Sequence, residues 1–400
     1  MDVEDLARFL LNKGFSEDEV KALITFLATF RKGLDFQRSS RIADGVIRDV
    51  ETSSRVLGPY KPREFGVRVG EAGVGSRGTG DLAIHSVLLK LTKSGDAFKK
   101  GNLVAAVDGF HSRLNPVPLL MGFHATRAAL RDVMVAGGEP LLTLIDVHLA
   151  DDTDLAYLID VSVGAKVASD ACGAEFGGGS TLRIGGDMVW GSRVTGGSFA
   201  LGRLVRDLNR FNARPGLKLC STIGKGGGTV TAIALYHGIE ELVELTLNVD
   251  FCYQMRRFVR DENVKAAFDW TNGGILLDAF EISEELGVKV SLNKKVYDAV
   301  HPKLRKALEE LDLDPLSTSV DAIVLIAEKC PEDTIEIGTI EEGRGVYLEG
   351  KELEPSFREA PYTHLKKAVE SISKRIDIND LVNYEMERLE FLKNKVRSSY

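Results

Sequence analysis

Three aspartates, Asp81, Asp108 and Asp132, lie near glycine-rich segments in the first third of this 400-residue chain. Residues 73–81 read GVGSRGTGD, so Gly73, Gly75, Gly78 and Gly80 lead directly into Asp81. Without Cβ atoms, consecutive backbone N–H groups can converge on an anion, and a neighbouring carboxylate supplies the hard oxygen that Mg²⁺ prefers. A second run, GGGSTLRIGGD at 177–187, repeats the ingredients with Gly178, Gly179, the hydroxyls of Ser180 and Thr181, and Asp187. Several acids beside glycine turns are what metal-bridged triphosphate binding requires. Each taken singly serves as well as a helix cap or turn residue, and the loop serves as well as a surface loop.

The literal match to G-x-G-x-x-G at Gly73, Gly75 and Gly78 raises the dinucleotide fold. That fold needs a strand ending in an acid about 20 residues further on. Here that distance falls in LTKSGDAFKK, read as a charged turn, and the first strand ending in an acid is VAAVD, at Asp108. The spacing fails. A Walker loop is excluded because Gly224-Lys225 is followed by Gly226 rather than Ser or Thr.

The elements that must position these residues are mixed. Residues 2–32 carry apolar positions at helical spacing, with Ser16 and Glu19 spaced as a capping box. From Phe65 to Leu149, short runs such as FGVRV and NLVAAV read as strands around one helix, ATRAALRDVMVAG, which carries Asp132. Residues 155–172 read as helix and VTGGSFALG as strand. The turn NARPG marks a boundary near residues 212–216. Beyond it, ENVKAAFD, ILLDAFEISEELG and KVYDAVHPKLRKALEEL read as helical, as does LVNYEMERLEFLKNKV near the end.

Net charge is −8 and 44% of residues are hydrophobic, which argues for a sizeable core and against general affinity for nucleic acid or anionic membrane. No apolar run approaches the ~18 residues of a membrane span, and MDVEDLARFL is acidic where a secretory signal is basic. Cys172, Cys220, Cys252 and Cys330 form no C-x-x-C pair, so neither zinc site nor disulfide framework is expected. The expectation is a cytoplasmic protein with reduced thiols.

Taken in order, GTGDLAIH, VAAVDGFHSRLNP, ATRAALRDVMVAGGEPLLTLIDVHL, GGGST and VTGGSFALG resemble the aminoimidazole ribonucleotide synthetase (PurM-like) superfamily. ARPGLKLCSTIG, DWTNGGILLDAFEISEELGVKV and LDLDPLSTSVDAIVLIA resemble its second half, and the likeness spans about residues 65–345. It implies an α+β fold of two domains, an N-terminal mixed sheet with helices (61–211) and a C-terminal α/β sandwich (212–345), flanked by a helical extension (1–60) and a helical tail (346–400). It further implies an ATP site, with Mg²⁺ on Asp81, Asp108 and Asp132, the loop 73–80 and the 178–181 run near the phosphates, and a homodimer. Asp269, Asn272, Gly273 and Gly274 match its D-x-[ST]-[DN]-G-G segment and would shape the acceptor pocket.

The chemistry implied is ATP-dependent phosphorylation of an amide, carbonyl or carboxylate oxygen of a small metabolite, with Asp108 and His111 in the catalytic positions. His111 stands where the formylglycinamidine synthetase pattern has an active-site histidine. His85 and His124 are weaker candidates. The chain departs from thiamine-monophosphate kinase at Gly80-Asp81-Leu82, where that family shows G-D-D, and at Ser180, where it shows an acid. No cysteine precedes Cys172, against selenophosphate synthetase, and the chain ends KNKVRSSY, against the hydrogenase maturation factor. Asn272 stands where an acid is common. A nucleotide-binding protein without turnover, acting as sensor or partner, and a kinase of the thiamine-monophosphate type remain as alternatives.

Overall fold

A computed structural model describes residues 1–56, 58–92, 97–185, 188–369 and 372–397. The first sheet contains β1 (Phe98–Lys100), β2 (Leu103–Gly109), β3 (Gly138–Leu149), β4 (Glu175–Arg183) and β5 (Val194–Leu204), in the order β1-β2-β5-β3-β4. All neighbours are antiparallel except β3 and β4, which run parallel because the helix Leu155–Ala171 crosses between them. The second sheet is formed by β6 (Lys218–Ser221), β7 (Val264–Trp270), β8 (Val288–Leu292), β9 (Ala322–Ala327), β10 (Ile335–Glu342), β11 (Gly345–Leu348) and β12 (Lys351–Leu353). Its order is β12-β11-β8-β10-β6-β9-β7. This is the expected α+β architecture with one sheet on each side of the NARPG turn.

The helix Pro118–Val135 lies between the halves. It packs on β2, β3 and β5 and also meets β7 and the helix Asp250–Phe258. Being enclosed on all sides, it is apolar almost throughout, and its two arginines, Arg127 and Arg131, are buried. One apolar core runs from Phe110, Leu114 and Met121 into Phe268 and Trp270, so the halves share their interior. The neighbouring Leu155–Ala171 helix approaches so closely that a Cβ on Gly122 would lie 2.0 Å from the Val161 carbonyl oxygen. Gly122→Ala is therefore expected to lower stability by about 1–3 kcal/mol in urea denaturation, because backbone rather than a flexible side chain must move.

The N-terminal extension is helical as expected: Val3–Asn12, Glu17–Lys32 and Phe36–Val56 close a small core of their own that includes Trp190. Ser16 and Glu19 form the capping box in full. Among the described residues no helix is long and apolar enough to cross a membrane.

Several local readings are corrected. FGVRV is not a strand, and three residues of LTKSGDAFKK do form one, β1. ENVKAAFD is not helical: Val264–Trp270 is an edge strand of the second sheet, buried by the central helix, so its mostly apolar residues need no helical period. The sheet runs on to Leu353, so the stretch read as helical tail begins with β11 and β12 before the helices His364–Val369 and Ile378–Arg397. The cysteines pair, Cys172 with Cys252 and Cys220 with Cys330, at 5.5 Å between Cα atoms in each case. Separations of 80 and 110 residues hid both pairs from any spacing rule.

Candidate functional site

Between the halves opens a cleft of about 1180 Å³. Asp81, Asp108, His111 and Asp132 line it from the first half, and Asp269 and Asn272 face them from the second. The catalytic and metal candidates thus meet in one place. Among the described residues, however, no three His, Cys, Asp or Glu side chains converge closely enough to enclose a metal ion.

Asp81 sits in the first turn of the helix Thr79–Thr92. Its Oδ1 accepts the Gly75 N–H at 2.9 Å and lies 3.4 Å from His85 Nε2. Burial pushes this carboxyl up, but His85 and the Gly75 N–H outweigh it and leave it below its ordinary value. Asp108, at the end of β2, is different. Burial is the largest influence and Asp269 and Asp321 add repulsion, which Arg131 and Arg77 only partly offset, so its carboxyl is pushed up to about 6.

An acid whose folded value is raised binds its proton more tightly folded than unfolded, so stability is lost as pH rises from near 4 through about 6. Asp108→Asn removes that loss. It is expected to stabilise the protein by about 1–3 kcal/mol near neutral pH and by little near pH 4, as read from urea midpoints across that range.

His111 is a poor acid in this setting. Burial first, then Lys366 and Arg113, bring it down to about 4, and its Nε2 shares a 3.1 Å hydrogen bond with the Tyr362 hydroxyl. That direction favours the neutral imidazole, which suits the base rather than the acid side of the acid/base role expected of His111; Asp108 is pushed up and His85, beside Asp81, is raised as well. His124 is buried likewise, down to about 3, bonded through Nε2 to Thr231 Oγ1 at 2.8 Å.

Beneath the acids lies a charge network that crosses the halves. Arg131 Nε donates to Asp269 Oδ2 at 2.6 Å, and Arg127 and Arg131 both donate to Asp321 Oδ2. Asp269 is thereby engaged in holding the halves together. Asn272 accepts from Thr229 Oγ1 at 2.7 Å, and its carbonyl accepts from Arg77 Nε at 3.3 Å. Gly273 and Gly274 have φ of 90° and 71° and open the helix Gly274–Leu286. A Cβ on Gly274 would meet the Leu316 carbonyl oxygen at 1.9 Å, so these glycines shape a turn.

The glycine loop is occupied by the chain itself. Thr79 and Gly80 donate their N–H groups to the carbonyls of Ser356 and Phe357 at 3.0 and 3.1 Å, and Glu359 donates back to Ser76 O at 2.6 Å. A Cβ on Gly78 or Gly80 would lie 2.6 Å from Phe357 atoms. These glycines permit a strap, residues 356–366, to cross the loop, and the strap brings Glu359, Tyr362 and Lys366 into the cleft. The expected open cradle for phosphate is filled at Thr79 and Gly80, because the strap carbonyls accept the donors that an anion would take.

Gly178, Gly179, Ser180 and Thr181 do not join the site. They belong to β4, with β3 and β5 between it and β2, a separation of about 14 Å at the usual strand spacing. Their glycines form an irregular edge strand rather than a turn, with Gly178 at φ 85°. Asp187 lies outside the described residues. Sequence reasoning missed Asp278 and Glu281, Asp321 and the strap; Asp321 lay within a quoted segment, but nothing local marks a residue whose partners are nearly 200 positions away.

No family model matches the chain. It is 36% identical over 414 aligned positions to an uncharacterized protein of Methanocaldococcus jannaschii, covering 92% of this chain and 91% of that one. It is 24% identical over 266 positions to the thiamine-monophosphate kinase of Aquifex aeolicus, covering 62% of this chain and 83% of the kinase. The solved structure of AaThiL complexed with AMPPCP and TMP superposes with TM-score 0.58 at 20% identity, covering 73% of this chain and 98% of that one.

Proposed function

Because this chain belongs to the PurM-like superfamily, whose members include ATP-using enzymes, we propose that it binds Mg²⁺ and ATP in the interdomain cleft and transfers the γ-phosphoryl group to an oxygen of a small metabolite. The observation that carries this reading is the placement of Asp81, Asp108 and Asp132 opposite Asp269 and Asn272 in one cleft of about 1180 Å³, large enough for a nucleotide and an acceptor together. The donor chemistry suits a hard divalent cation that one or two carboxylates share with nucleotide phosphates, so the lack of an enclosing trio among the described residues does not bar it; Asp81, Asp108 and Asp132 would supply the carboxylate oxygens, and Asp108 would gain compensation for its charge. When bound, the ion would neutralise phosphate charge. The chain's own part is to orient both substrates from two rigid sheets and to exclude water by burial. The domain limits 61–211 and 212–345 are proposed with it, the second extended to Leu353 to keep its sheet whole.

Calorimetry with Mg²⁺ and AMPPCP tests binding, and ADP release with a metabolite panel tests turnover. Asp108→Asn is expected to cut turnover by about 100-fold or more. Absence of nucleotide binding, or an unaffected Asp108→Asn variant, would sink the reading.

The strap favours a second reading, a nucleotide-responsive protein without turnover, because it occupies the loop in the resting chain. Nucleotide binding without ADP release across the panel would select it. A kinase acting on thiamine monophosphate, the activity named for the Aquifex relative, is the third and is tested with that substrate directly. We also place a homodimer contact on the open face of the first sheet. There Val107, 71% exposed where the sheet borders the cleft, lies in register with Phe199 and, through it, Leu144. Light scattering of Val107→Asp, expected as monomer, checks it.

A further inference from the structure

We propose that Asp278 and Glu281 form a subsite for a primary ammonium group, so that the metabolite taken by this cleft is an amine. The proposal deepens the phosphoryl-transfer reading by naming the acceptor's class, and rests on it for the role of the bound amine.

Both acids lie on the helix Gly274–Leu286, three positions apart and therefore on one face. They are 2% and 8% exposed, yet both line the cleft. Arg210 serves the pair unequally: its Nη2 is 2.6 Å from Glu281 Oε2, whereas its Nη1 stands 3.7 Å from Asp278 Oδ1, beyond hydrogen-bond reach. Asp278 Oδ2 is buried and accepts no hydrogen bond. Glu281 keeps its Oε1 for a second donor, whereas Asp269, the next acid toward the centre, is engaged by Arg131 within the network that joins the halves.

A buried carboxyl oxygen with no donor is unfavourable, more so when charged, so one that lines a cleft points to a ligand that supplies the donor. Burial, and then Glu281, push the Asp278 carboxyl well above its ordinary value, which Arg210 and Arg77 only partly offset. An ammonium carries three N–H donors on a compact positive charge and suits two carboxylates on one helix face.

The test is thermal-shift and calorimetric titration of the full chain with ethanolamine, glucosamine and small amino acids, each beside its hydroxyl or N-acetyl counterpart, with and without Mg²⁺ and AMPPCP. At least one amine is expected to bind in preference to its counterpart, and Asp278→Asn to weaken it by about 10–100-fold. Asp278→Asn keeps the shape and removes the unpaired acid, so its melting temperature checks folding independently. The subsite is overturned if no amine binds at millimolar concentration, if the uncharged counterparts bind equally, or if folded Asp278→Asn binds amine as tightly as the parent. Amine binding without any nucleotide binding would instead overturn the phosphoryl-transfer reading and leave the subsite standing.

Discussion

Asp321→Ala is expected to destabilise the protein by about 3–5 kcal/mol, because it leaves the buried guanidinium groups of Arg127 and Arg131 without the carboxylate they share. Ser319 Oγ also donates to Asp321 Oδ1, at 2.8 Å, so the carboxylate is satisfied on both oxygens. Burial alone would push this carboxyl up; Arg131 and then Arg127 reverse that and hold it far below the usual range. A depressed folded value means that the stabilisation is fully present above the unfolded value near 4 and is lost as pH falls below it. The difference between parent and variant in urea midpoints should accordingly be largest at neutral pH and shrink in strong acid. A constant difference across that range would show that the loss comes from packing rather than charge. Since the network joins a helix of the first half to the edge of the second sheet, its loss should also loosen the cleft and weaken nucleotide binding.

Removing the Cys172–Cys252 bridge should cost a comparable amount. The pair closes a loop of 80 residues, for which chain entropy gives about 4–5 kcal/mol as the limiting stabilisation, and native disulfides typically deliver about 2–5 kcal/mol. It ties the end of the helix Leu155–Ala171 to the helix Asp250–Phe258, and hence one half to the other. Cys172→Ser with Cys252→Ser should lower the melting temperature whether or not reductant is present, whereas the parent should drop toward the variant only when reduced. Four free thiols in the denatured, unreduced parent would refute both bridges. The cytoplasmic expectation carries a condition, because bridges persist in a cytosol chiefly in hyperthermophiles.

Much of the site was legible because its pieces are local. A glycine run ahead of an acid, an acid closing an apolar strand and an acid within a largely apolar helix are short-range patterns, and Asp81, Asp108 and Asp132 do meet in one cleft. The failures have a common form. GGGST contains the right residue types, but β4 lies at the sheet edge, with β5 and β3 between it and the strand that carries Asp108. The apolar run of ENVKAAFD reads as helix from its sequence, and only its pairing with β9 makes it a strand. His111 has the residue type for proton transfer, but the burial beside Lys366 and Arg113 that lowers it was set by the strap and the fold around it, which no local pattern shows.

The sequence by itself determined the α+β class, the helical ends, the order of glycines and acids, and the family likeness, because these rest on residue type and on periods of two and of about 3.6 along the chain. Tertiary structure alone decided which charges neutralise one another, which cysteines pair, and what lies across the glycine loop. Arg127 meets Asp321, Gly80 meets Phe357 and Cys220 meets Cys330 across separations of 110 to 277 residues, where partners are selected by the packing of two sheets around one buried helix. The same packing leaves Asp278 facing the cleft without a donor.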